Sequence, residues 1–103
     1  MKKLTLVLAA LLSGAWMLEA QQDGQAVFVE KCASCHGPDG AAQNARARKM
    51  KMKGIKEVLP HATEAEMEKV VEGGKGLDMP AYAKQLDKKQ IEAVVGYFRG
   101  LAK

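Results

Sequence analysis

Apolar residues recur with helical spacing in three places along the chain. The clearest lies near the carboxyl end. Ile91, Val94, Val95, Phe98, Leu101 and Ala102 repeat at offsets 0, 3, 4, 7, 10 and 11 after Asp87, a good N-cap residue. Gly96 and Gly100 weaken this helix by roughly 1 kcal/mol each relative to alanine. A second helix begins at Thr63, which with Glu66 has the spacing of a capping box. Ala65, Met67, Val70 and Val71 supply its apolar face, and Gly73-Gly74 stops it. A first helix runs from about Gln25 to Cys35, with Asp23 as its N-cap. Gly24, Phe28, Cys32 and Cys35 share one of its faces. Between the first two helices lies a basic stretch, Arg46 to Lys56. Between the last two lies "GGKGLDMPAY", a glycine-rich loop closed by a proline. No strand pattern, repeat or low-complexity block interrupts the series, so the pattern predicts an all-α fold.

The first twenty residues read differently. Lys2 and Lys3 precede an apolar run from Leu4 to Leu12, then Ser13, Gly14 and a second apolar patch at Ala15–Leu18. A charged start followed by an apolar run too short to span a membrane comfortably is the pattern of an export signal. Cleavage is expected after Ala20, with Ala15 as the alternative site and an uncleaved anchor as the competing reading. This divides the chain into residues 1–20, a signal peptide, and residues 21–103, one domain.

Charge and composition narrow the possibilities. The full chain carries +4, and removing Lys2, Lys3 and Glu19 with the signal leaves +3. No Lys/Arg block interleaves with aromatics, so nucleic-acid binding is not indicated. Aromatics make up only 5% of the chain. A domain of about 80 residues supplies a marginal core by itself, and this one has few large side chains to fill it. Something other than side chains is expected to complete the interior.

Both cysteines and one of the two histidines lie in Cys32-Ala33-Ser34-Cys35-His36. Export leads to a compartment where disulfides form, but a Cys32–Cys35 bond would close a tiny loop and restrain the unfolded chain little. Each thiol can instead add across a haem vinyl group to form a thioether. The i, i+3 spacing turns both sulfurs toward one porphyrin edge, and the adjacent His36 reaches the iron. That is the physical content of reading C-x-x-C-H as a c-type haem attachment site. Two readings compete. A thiol–disulfide oxidoreductase would use the same C-x-x-C, within a βαβ pattern that is not visible here. A zinc site would need four ligands, for which Cys32, Cys35, His36 and His61 are available.

A haem iron bound by His36 has a second axial position. Met1 and Met17 leave with the signal, Met67 lies on the apolar side of a helix, and Met50 and Met52 sit among lysines, exposed or packed by context. Met79 follows the glycine-rich loop and precedes Pro80, a flexible approach with a rigid exit. It is the candidate distal ligand. Met79 as core filler, His61 as the ligand and an open site are the alternatives.

At these residues the chain resembles a small class I cytochrome c. The matching pieces are "GQAVFVEKCASCHG", "GLDMPAY" and "IEAVVGYFRGLA", in that order. The resemblance implies a class I cytochrome c fold, helices wrapped around one covalently bound haem c. The first and last helices would cross at a small residue, with Gly24, Phe28, Val94 and Tyr97 at the matching positions. Tyr97 lies beside the apolar stripe, so periodicity alone does not give that contact. The pattern departs from the family after the haem histidine. Pro38 comes almost at once and "DGAAQNARARKMKMKG" has no later proline, which leaves open the carbonyl that accepts the His36 ring N–H.

Arg46, Arg48, Lys49, Lys51, Lys53 and Lys56 place six positive charges in a stretch with no acid. They form a solvated face, pair with haem propionates, or steer an acidic redox partner. Taken together, the residues predict an exported, periplasmic, monomeric one-electron carrier rather than an enzyme. It would bind haem through Cys32 and Cys35 with His36 and Met79 as axial ligands. A haem enzyme or gas sensor with a labile sixth ligand and a thiol oxidoreductase are the alternatives, and a subunit of a larger redox complex is a further form of the same function.

Overall fold

The computed structural model describes residues 24–103. The proposed signal at residues 1–20 and the Asp23 cap lie outside the described residues. Five helices follow in order. Helix α1 covers residues 24–36, α2 is Ala45–Lys49, α3 is Ile55–Val58, α4 is Glu64–Gly73 and α5 is Lys88–Gly100. A 3₁₀ turn, Leu59–His61, extends α3. Among the described residues, the sole extended pairing is an isolated bridge between Lys75 and Met79.

The long helices start where the sequence sets caps. Thr63 and Glu66 form a reciprocal capping box, with hydrogen bonds of 3.1 Å in both directions. Asp87 does the same with Gln90 (2.8 and 2.9 Å), a pairing the sequence offered only as a single cap. The basic stretch is not one irregular connection. Asn44 caps α2 by accepting from the Ala47 N–H at 2.8 Å, and the chain then turns through Lys51 at φ 56° into α3.

Helix α1 is not a uniform α-helix. Residues Phe28–Cys32 form a π turn, in which the Ala33 N–H donates to the Phe28 carbonyl. A π turn inserts one residue into the helical register, and such turns concentrate at functional sites. It alters the direction in which Cys32 and Cys35 project relative to Gly24 and Phe28, which the unbroken helical spacing put on one face.

Helices α1 and α5 cross in close contact. Gly24 is buried, and a Cβ there would run into the Ala93 carbonyl. Phe28 is 1% exposed. Its ring lies 5.4 Å from that of Tyr97 and 5.5 Å from that of Phe98. Val94 is buried beside them. The helix–helix contact implied by the resemblance is therefore present, including Tyr97 from beside the stripe. Val27, Ile55, Met67, Leu86, Ile91 and Val95 complete the core, and Phe28, Met67, Val94 and Val95 also line a large cavity.

Candidate haem site

That cavity has a volume of about 710 Å³, within the roughly 300–1,000 Å³ usual for cofactor and small-molecule sites. Cys32, Cys35 and His36 line it from α1. Val70, Val71 and Met67 line it from α4, Met79 and Pro80 from the loop, and Val94, Val95 and Phe98 from α5. The structure thus brings together the four residues singled out in the sequence. It also brings in Met50, Met52 and His61. Of the two outcomes open to them, exposed or packed by context, Met50 and Met52 take the second: both are half-buried on the cavity lining.

The carboxyl end of α1 is held from outside. Asn44, besides capping α2, donates through Nδ2 to the Cys35 carbonyl at 3.1 Å. The His36 carbonyl accepts from the Ala42 N–H at 2.9 Å. The Lys31 carbonyl, in the π turn, accepts from the Tyr82 hydroxyl at 3.2 Å. Sequence reasoning found neither Asn44 nor Tyr82. An asparagine just ahead of a helix-forming run is a legible cap signal, but a tyrosine bonding to a carbonyl 51 residues away leaves no local trace.

Met79 is fixed by its backbone. Its carbonyl accepts from the Lys75 N–H at 2.9 Å, and its N–H donates to the Lys75 carbonyl at 3.2 Å. Gly74, at φ 77°, ends α4. A Cβ there would lie 2.6 Å from the Met79 carbonyl oxygen, so glycine is required both for the backbone angle and for the close approach. Beyond Pro80, the Tyr82 and Ala83 N–H groups donate to the Val71 and Glu72 carbonyls. The loop is therefore tied to α4 on both sides of Met79. Met67 differs: it is buried within α4, with its sulfur 3.8 Å from the Arg99 guanidinium.

Cys32 and Cys35 are not joined to each other by a disulfide. Burial pushes the Cys32 thiol up to about 11, outweighing the opposing charge of Lys31. A thiol that stays protonated at neutral pH is a poor redox nucleophile, since reactive C-x-x-C cysteines have lowered values. Among the described residues no three His, Cys, Asp or Glu side chains gather into a metal site, so the four zinc ligands considered from sequence do not assemble. Burial lowers His36 below the ordinary histidine range and favours the neutral imidazole, the form that binds metals. Its Nδ1 is buried without a hydrogen-bond partner.

Comparisons with known proteins bear on the family and the fold. The family model described as cytochrome C oxidase, cbb3-type, subunit III matches residues 19–98. The chain belongs to this family. It is a small monohaem cytochrome c, and its cofactor is a covalently bound c-type haem. A search of curated proteins gives no significant match. Among solved structures, the KustC0563 c-type cytochrome superposes with a TM-score of 0.71 at 20% identity, covering 78% of this chain and 98% of that one. That likeness shows the fold, the all-α class I cytochrome c arrangement. The cytochrome's cavity suits its cofactor: apolar walls from three helices, two cysteine sulfurs one helical turn apart, an imidazole whose burial favours the neutral form, and a thioether from a separate segment of the same lining. No helix among the described residues is long and apolar enough to cross a membrane.

Proposed function

We propose that this cytochrome is an exported one-electron carrier in which Cys32 and Cys35 form the thioethers and His36 and Met79 are the axial ligands. The observation that carries this reading is the shared cavity: all four side chains line it. When bound, the haem supplies a reversible Fe(II)/Fe(III) couple. His36 offers a neutral ring nitrogen. Met79 offers a soft sulfur, which raises the reduction potential relative to a second histidine. Two protein ligands leave no position for oxygen or peroxide, which favours electron transfer over catalysis. Met79 is preferred over Met67 because the Met67 sulfur is engaged by Arg99, whereas Met79 sits on a loop braced by four backbone hydrogen bonds. Residues 1–20 act as the export signal in this reading, residues 21–103 form the cytochrome domain, and the periplasm is the destination.

The test is the protein matured in a host that attaches c-type haem. Haem is expected to stay with the chain after acid–acetone extraction. The ferric spectrum is expected to contain the weak far-red band of sulfur bound to iron. Extractable haem would reject Cys32 and Cys35 as the attachment points. Covalent haem without the band would reject Met79 and bring His61 or an open site, and with it gas sensing or catalysis, forward.

The partners proposed are redox proteins with an acidic docking face. Lys31, Lys51, Lys53 and Lys75 all line the cavity, and Lys49 lies exposed beside them in sequence. Their charge would steer encounter more than hold the complex. Replacing Lys49, Lys51 and Lys53 by Glu is expected to slow oxidation by an anionic iron–cyanide complex about tenfold or more at low salt. The difference should shrink toward physiological salt, where the Debye length falls to about 8 Å. A cationic oxidant should show no such slowing. Equal rates for both proteins with the anionic oxidant would reject the steering role.

The family description names an oxidase subunit, and this favours a second form of the same function, a resident subunit of a larger redox complex in place of a free monomeric shuttle. The sedimentation of the native protein in a membrane-free extract separates the two.

A further inference from the structure

His36 is anchored at its backbone, but its ring nitrogen Nδ1 is buried and has no hydrogen-bond partner among the described residues. Buried ring N–H groups of histidine ligands normally meet a carboxylate, a carbonyl or water, which fixes the tautomer and makes the ligand more basic. The chain turns tightly after His36. The Gly37 carbonyl accepts from the Gly40 N–H at 3.0 Å, and the Gly40 carbonyl accepts from the Ile55 N–H at 2.9 Å. These two loop carbonyls are engaged by backbone partners.

What meets the imidazole is Phe98. The two rings lie 5.1 Å apart at an interplanar angle of 63°, an edge-to-face arrangement. Phe98 cannot easily turn away. It stacks on buried Phe28 at 24°. Gly40 leaves the ring little room: a Cβ there would lie 3.1 Å from Phe98 Cε1 and 3.3 Å from Leu101 Cδ1. An aromatic face carries negative charge density and accepts N–H groups weakly.

We infer that Phe98 is the positioning residue for His36, and that the Nδ1 hydrogen faces the Phe98 ring in place of a carbonyl oxygen. This rests on His36 being the iron ligand through its other nitrogen. An imidazole with so weak an acceptor donates less charge than one bonded to a carbonyl.

The test uses the nitrogen-15-labelled ferrous holoprotein and reads the proton resonance of His36 Nδ1–H. A proton over an aromatic face is shielded. The resonance is therefore expected to move downfield in Phe98→Leu, and to stay near its wild-type position in Phe98→Trp, which keeps an aromatic face. Phe98→Met, flexible enough to fill the gap, replaces Phe98→Leu if the latter fails to fold. A resonance that ignores the loss of the aromatic ring while the His36 signals remain displaced as those of an axial ligand would overturn this inference alone. His36 signals lacking that displacement in the wild type would overturn the ligation reading and this inference with it.

Discussion

Produced without haem, in a host that does not attach it, the chain is expected to lose most of its helical circular dichroism. Its own elements cannot stand alone. α2 has five residues and α3 four, and even α4 and α5, with ten and 13, fall near or below the length of about 12–15 residues at which isolated helices become marginal. Their stability must come from packing, and the packing surrounds a cavity. The cavity opens to solvent, so without haem its apolar walls meet water and forfeit about 25 cal/mol for each Å² left exposed. A whole domain has only about 5–15 kcal/mol of net stability. The apoprotein is therefore expected to collapse around the cavity or unfold. The α1–α5 contact of Gly24, Phe28, Val94 and Tyr97 is the part with most reason to persist, because it does not depend on the cavity alone. Comparison of far-ultraviolet dichroism with that of the holoprotein checks this. An apoprotein with holoprotein-like helicity and cooperative melting would mean that the protein core suffices and that the cofactor is an addition to a finished fold.

The parts of this architecture that were legible in the sequence are those specified locally. The capping box at Thr63, the stop at Gly74 and the apolar stripe of α5 each follow from residues within a few positions of one another. So does the chemistry of Cys32, Cys35 and His36, which needs only a helical turn. The π turn at Phe28–Cys32 was not legible. The contacts around it, Gly24 against Ala93 and the Tyr82 hydroxyl on the Lys31 carbonyl, come from distant segments and leave no local spacing to read. The short helices α2 and α3 were hidden for a different reason. Their charged residues face solvent and only Ala47 and Ile55 are buried, too few to give a period. The roles of Asn44 and Phe98 divide in the same way. Half of the Asn44 role, the cap, is local; the bond to the Cys35 carbonyl is not. Phe98 announced itself as a core residue on α5, but its contact with His36 exists only because α5 crosses α1.

Met79→Ala is expected to abolish the far-red sulfur–iron band, lower the reduction potential and open the ferrous protein to rapid carbon monoxide binding. The variant removes a sulfur without removing the loop. The pairing of Lys75 with residue 79 is made by backbone atoms, as are the bonds from Tyr82 and Ala83 to α4, and Gly74 still permits the close passage of the chain. The loss in stability should accordingly stay near the 1–3 kcal/mol of a part-buried side-chain truncation, leaving a folded haem protein in which the spectrum can be read. The fall in potential follows from losing a thioether, which favours the ferrous state. The other methionines on the cavity wall supply the controls. Met52→Ala and Met67→Ala should keep the band, the first because Met79 is the ligand in this reading, the second because its sulfur already meets Arg99. A band that survives Met79→Ala but vanishes in Met52→Ala would move the distal ligand to the basic segment. The lysine-rich stretch would then be a ligand loop, and its charge would act on the iron's own potential before it acted on any partner.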